Sequence, residues 1–168
     1  MTFVLISAPA YASDLTFFGG LQHQGKLTLK SAGSAATSFG FIPKNFGVIG
    51  MRIGLGNSIL GHEHTIAYSA NFIDSNSKAL LLNSNLILQA PLIIAKPYLT
   101  AGAGMIHTTG SGLSNIGTKF ALNYGGGIKT KILGPIGGRF DVRGYAIPGI
   151  QSQTLNVLEV SLGVVFSF

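Results

Sequence analysis

Apolar and polar residues alternate with a period of two along most of this chain, most cleanly in its last eleven positions, LEVSLGVVFSF. Leu158, Val160, Leu162, Val164, Phe166 and Phe168 share one face of an extended strand, while Glu159, Ser161, Gly163 and Ser167 share the other. Seven further segments carry the same period. The first runs from Leu15 to Gly25, and the second, Phe46 to Gly56, sets Gly47, Ile49, Met51, Ile53 and Leu55 against Val48, Gly50, Arg52 and Gly54. The third, His62 to Ile73, opposes Ile66, Tyr68, Ala70 and Phe72 to Glu63, Thr65, Ala67, Ser69 and Asn71. The fourth is Leu80 to Ala90, with leucines against Asn83, Asn85 and Gln89, and the fifth is the glycine-rich Pro97 to His107. The sixth, Phe120 to Thr130, and the seventh, Gly138 to Tyr145, lead to the closing segment. The alternation predicts an all-β chain.

Segments of about 9 to 11 residues suit strands tilted near 45° across an apolar band, and eight is the smallest even number that closes a membrane barrel. The expected fold is therefore an eight-stranded antiparallel up-and-down transmembrane β-barrel. Pro43, Pro91, Pro135 and Pro148 are expected between strands and Pro97 at the start of one, where a missing N–H costs little. Connections alternate: 26–45, 74–79, 108–119 and 146–154 are polar and mostly long, whereas 57–61, 91–96 and 131–137 are short. Long loops on one rim and tight turns on the other set a sidedness.

Composition supports strands over helices. Apolar residues make up 46% and charged residues 10%, yet the weakly polar stretch 79–95 is interrupted by Asn83, Ser84, Asn85, Gln89 and Pro91. No run reaches the roughly 18 to 20 apolar residues of a spanning helix. The 24 glycines would each weaken a helix. Without cysteine, thiol catalysis and Cys-based metal centres are excluded. The net charge of +6 is dispersed as single Lys and Arg residues, which argues against nucleic acid and for anionic lipid or lipopolysaccharide. The start, MTFVLISAPAYAS, ends an apolar run in Ala10-Tyr11-Ala12, a signal-peptidase pattern. Residues 1–12 are expected to be a truncated signal peptide and 13–168 the barrel domain; the alternative is that this segment is a first strand.

The terminal VSLGVVFSF, together with KPYLTAGAGM (96–105), FALNYGGGIK (120–129) and GGRFDVRGY (137–145), resembles the closing, fifth, sixth and seventh strands of small eight-stranded bacterial outer-membrane barrels of the opacity-protein and OmpA-transmembrane type. The resemblance covers essentially the mature chain. It implies an outer-membrane location in a Gram-negative envelope, with the loops after strands one, three, five and seven outside the cell. It also implies that Val160, Leu162, Val164, Phe166 and Phe168 form the C-terminal signal read by the barrel assembly machinery. A monomer is expected.

The candidate chemistry lies in charges on the phase opposite each apolar stripe: Arg52, Glu63, Lys129, Arg139, Asp141, Arg143 and Glu159. Inside so narrow a barrel such charges must pair, because an isolated buried ion costs several kcal/mol. Two readings stay open, a salt-bridge network that fills the lumen, with Gly102, Gly104, Gly125 and Gly127 making room for arginines, and a narrow or gated ion path. His62-Glu63-His64 places two imidazoles on the outward phase without an identifiable third ligand, so an interfacial polar belt is expected and no metal or other cofactor. Ser75-Asn76-Ser77-Lys78 fits an S-x-x-K pattern but lies in a loop. His107 with Ser111 or Ser114 is the nearest approach to a lipid-modifying Ser–His pair, and no acid supports it. Phe17, Phe18, Phe46, Tyr68, Phe72, Tyr98, Tyr124, Tyr145 and Phe166 are candidates for interfacial girdles. The expected function is non-enzymatic: envelope integrity, adhesion or surface interaction through the loops. A small passive channel is the alternative, with a lipid-modifying enzyme or a soluble lipocalin-like binder behind it.

Overall fold

The computed structural model describes residues 12–25, 27–30, 38–41, 45–56, 59–73, 75–90, 92, 94–110, 115–150 and 153–168. Among the described residues ten strands are formed: β1 (Ala12–Gln24), β2 (Leu27–Lys30), β3 (Ser38–Phe41), β4 (Asn45–Leu55), β5 (Leu60–Ala70), β6 (Lys78–Gln89), β7 (Ala95–Thr109), β8 (Gly117–Leu133), β9 (Ile136–Ile150) and β10 (Gln153–Ser167). Eight of them close an antiparallel barrel in the order β1-β10-β9-β8-β7-β6-β5-β4, with β1 paired to both β10 and β4. Every sequential neighbour is a hairpin partner, the up-and-down barrel that the alternation predicts. The remaining two, β2 and β3, pair with each other as a separate hairpin inside the expected first loop.

Strand lengths exceed the expectation on one side of the barrel, where β7 to β10 span 15 to 17 residues. The expected loop 146–154 is mostly strand, and Pro148 lies within β9 instead of between strands. The ladder survives because the register between β9 and β10 shifts there, from Leu155↔Ile147 to Gln153↔Ile150. Such a bulge leaves Pro148 no ladder hydrogen bond to donate, and Gly149 takes the positive φ of 78° that the bend requires. The third strand stops at Ala70, because Asn71 adopts φ 60° and breaks the alternation. Phe72 and Ile73 consequently turn inward, both 2% exposed, which corrects the outward placement of Phe72. Most of the expected signal segment lies outside the described residues, which begin with Ala12 at the head of β1.

The two faces of the wall are chemically inverted relative to a soluble barrel. Leu21, Leu86, Leu99, Tyr124 and Leu162, each more than 60% exposed, point away from the axis. Arg52, Glu63, Arg143 and Glu159 are fully buried within it. Period-two alternation then places nearly every strand residue without further choice.

Candidate functional site

The lumen has two levels. At its middle the strands bring six of the seven predicted charges together. Glu63 on β5 accepts from Arg139 Nη1 at 2.6 Å and from Arg143 Nη2 at 2.7 Å, both donors on β9. Asp141, between those two arginines on the same strand face, accepts from Arg139 Nε at 2.8 Å, Arg143 Nη2 at 3.0 Å and Arg52 Nη1 at 2.8 Å. Arg52 on β4 passes its other nitrogen to Glu159 on β10 at 2.6 Å. The result is a continuous alternation of three carboxylates and three guanidiniums, with no net charge. Arg forks suit this arrangement, since one planar group can serve two carboxylates at once.

Neutral residues complete the valences. Tyr98 donates its hydroxyl to Asp141 and accepts from Arg139 Nε at 2.8 Å. Glu159 also accepts from Gln22 Nε2 at 2.8 Å and from the Tyr145 hydroxyl at 3.2 Å, and Ser69 extends the chain to Gln22 at 2.8 Å. The Arg52 guanidinium lies 3.6 Å from the centroid of the Phe18 ring. Lys129 stands apart from the six. Its Nζ is 2.6 Å from Asp14 Oδ2, near the short-turn mouth, so the acid that pairs with it is one the charge pattern did not single out. Tyr98, Gln22, Asp14 and Ser69 could each have been found from their inward phase alone.

Of the four expected room-makers, Gly125 lies against the backbone of Val142 and Arg143, and the other three work differently. Tyr98 lies over Gly127, while Asn85 and Asn83 lie over Gly102 and Gly104, so these glycines admit neighbouring polar side chains, not arginines. A Cβ at any of the three would overlap the group above it.

Above the charges, toward the 25–44, 71–77 and 110–116 connections, the lumen turns apolar. Phe46, Val48, Phe72, Ile73, Leu81, Ile106, Ile147, Ile150, Leu155 and Val157 form one buried cluster there. Phe46 and Phe72 meet edge to face with centroids 5.2 Å apart. Ser77 holds the inward turn in place, accepting from Ile73 N at 2.7 Å through Oγ and from Asn71 N at 2.7 Å through its carbonyl. Ser77 is the second serine of Ser75-Asn76-Ser77-Lys78, inside the S-x-x-K match, and its role there is to hold the turn.

No family model matches the sequence, and no curated protein does. Solved structures do match. Neisserial surface protein A is similar over 92% of this chain and 97% of its own, with a TM-score of 0.67 at 15% identity. The outer-membrane enzyme PagL is similar over 93% of this chain and all (100%) of its own, with a TM-score of 0.53 at 13% identity. Ail, the attachment invasion locus protein of Yersinia pestis, matches over 93% and 100% with a TM-score of 0.50 at 13% identity. The chain has the fold of the small eight-stranded outer-membrane barrels.

On this outer-membrane-type barrel the remaining predicted residues fall into place on the wall. Val160, Leu162 and Val164 face outward, Phe168 ends the chain 77% exposed, and Phe166 packs edge-on against Phe17 at 6.3 Å. Five of the nine girdle candidates do not reach the wall's outer side: Phe18, Phe46, Phe72, Tyr98 and Tyr145 are buried inside. The inward phase of Phe18, Phe46, Tyr98 and Tyr145, and the break at Asn71 for Phe72, place them in the lumen, whatever their strand propensity. His62 and His64 do face outward, where Ser84 joins them, with His62 Nε2 and His64 Nδ1 at 3.0 and 3.1 Å from Ser84 Oγ. Glu63 between them faces the lumen, and among the described residues no cluster of three His or carboxylate groups could hold a metal. His107 pairs with Thr118 Oγ1 at 2.8 Å, and Ser111 and Ser114 lie outside the described residues.

Proposed function

We propose that this chain is an integral outer-membrane barrel whose lumen is closed and whose role is non-enzymatic, in envelope integrity, adhesion or surface interaction through its loops. One observation carries the reading: the balanced set of three carboxylates and three guanidiniums fills the lumen's middle while an apolar cluster fills its loop end. An ion entering from the loops would have to displace the apolar cluster and then break paired charges. The four carboxylates on strands, Asp14, Glu63, Asp141 and Glu159, are all spent inside, so none reaches the outward Ser84–histidine group to complete a hydrolytic triad.

The loops after β1, β5, β7 and β9 face outward from the cell in this reading, and the C-terminal stripe of Val160, Leu162, Val164, Phe166 and Phe168 engages the assembly machinery. Four basic residues are used in the lumen; of the other seven, all lysines, the described Lys78, Lys96, Lys119 and Lys131 are the groups for anionic lipid or lipopolysaccharide. The alternative, a passive channel, draws on the buried Thr65, Asn83 and Thr100 side chains, whose polar atoms lack partners among the described residues.

Two measurements test the reading. In planar bilayers the purified barrel should show no stepwise conductance; steady channels altered by Arg143→Ala would replace the closed lumen with an ion path. On intact cells trypsin should cut after Lys26, Lys30 or Lys44, and cleavage only after permeabilisation would reverse the orientation.

A further inference from the structure

The outward trio of His62, His64 and Ser84 is out of character with its surroundings. It sits near the short-turn end of β5 and β6, flanked by the outward apolar residues Ile53, Leu60, Leu86 and Leu88. Polar groups facing hydrocarbon are rare and need partners, because an unsatisfied one costs several kcal/mol. The trio's internal hydrogen bonds meet only part of that need. Ser84 has one hydroxyl proton, yet both imidazoles bond to its oxygen. One ring must therefore accept that proton while the other donates its N–H. Each neutral ring has a second nitrogen, His62 Nδ1 and His64 Nε2, so the trio leaves over one N–H donor and one bare nitrogen.

Beside the trio the wall is hollow. Ala103, paired with Ser84, ends at Cβ next to the longer Leu82–Met105 pair, and with Met51 and Ile66 these leave a groove of about 460 Å³ that includes His64 and Ser84 at its short-turn end. A second hollow of about 480 Å³ continues toward the loops and shares Met51 and Ile66 with the first. Polar groups thus stand at the short-turn end of a long apolar trough. An acyl chain fits the trough, and an ester or phosphate oxygen is the acceptor that an outward N–H at that level would meet.

We propose that His62, His64 and Ser84, with the adjoining groove, form a binding site for one glycerophospholipid of the leaflet on the short-turn side. The proposal rests on the wall facing lipid, and its test separates the two. The barrel is placed in nanodiscs with phosphatidylethanolamine carrying a mid-chain diazirine, irradiated, and its adducts mapped by mass spectrometry. Adducts on Met51, Leu82 and Met105 should exceed those on the outward Phe140 and Leu162 about five-fold, the ratio one net hydrogen bond of about 1 kcal/mol supports. The enrichment should vanish in the His62→Leu/His64→Leu double variant, which touches nothing in the lumen, and in Ala103→Phe, which fills the groove and leaves the trio intact. Even labelling around the wall, or enrichment that survives either variant, overturns the site while leaving the membrane barrel standing. Cross-links between two copies through the trio overturn it in favour of a protein contact, and a wall without adducts overturns it together with the membrane reading.

Discussion

The two levels of the lumen solve the same problem, filling the inside of a narrow barrel, with opposite chemistry. In the middle, Arg52, Arg139 and Arg143 alternate with Glu63, Asp141 and Glu159, and each carboxylate has several donors. At the loop end Phe72, Ile147, Ile150 and Leu155 pack as the core of a soluble protein would. The difference lies in how each level fails. A balanced ionic set depends on completeness, since removing one member strands its partners without water. An apolar cluster loses only the contacts and volume of the residue removed.

The largest effect should therefore come from Asp141→Asn, which keeps the shape and removes the charge that three guanidiniums share. The barrel should lose about 3–5 kcal/mol, the usual cost of an uncompensated buried charge, measured by guanidinium unfolding in micelles. Glu159→Gln should cost clearly less, because Glu159 faces a single arginine and otherwise neutral donors. Equal losses would show that the carboxylates act by packing alone and would erase the contrast between the levels.

Leu155→Ala in the apolar level should cost about 2–4 kcal/mol by cavity formation, without any change in conductance, because the charges beneath still fill the bore. A conducting variant would show that the apolar level alone seals the barrel.

The charged level was legible in the sequence and the apolar level was not, for one physical reason. A lone Arg or Glu inside a stripe of leucines declares its phase, so Arg52, Glu63 and Arg139 to Arg143 could be placed inside from alternation. Where both faces of a strand are apolar, as in the Leu80-Leu81-Leu82 run of β6, alternation carries no signal. Leu81 and Ile106 therefore carry no mark in the sequence, whereas Leu155, between the outward Thr154 and Asn156, sits at the edge of a segment whose polar composition predicts a loop. Pairing across strands is likewise invisible to period-two reasoning, so phase alone groups Lys129 with the six charges although its partner, Asp14, is distant in sequence. The outward trio needed the β5–β6 register, which sets Ser84 directly opposite His64.

Lys129→Met tests the boundary of the ionic level. The Lys129–Asp14 pair lies at the short-turn mouth with side chains 11% and 12% exposed, outside the six-member set. Water at the mouth can take up part of what Asp14 loses, so the cost should be about 1–2 kcal/mol. A loss as large as that of Asp141→Asn would mean that the mouth pair and the central set form one network.

The smallest effect should come from the hinge that supplies the apolar level with Phe72. Asn71 holds φ 60°, a left-handed conformation that asparagine tolerates and alanine resists. Asn71→Ala should cost about 1 kcal/mol, and Asn71→Gly should be neutral or slightly stabilising, both read from unfolding midpoints. The pair isolates backbone strain from packing, because Phe72 and its Phe46 contact are untouched in either variant. Phe72→Ala removes the ring and should cost about 3 kcal/mol. Should Asn71→Ala cost as much as Phe72→Ala, the turn itself would be what admits the aromatic, and the apolar level would depend on one backbone conformation as completely as the ionic level depends on Asp141.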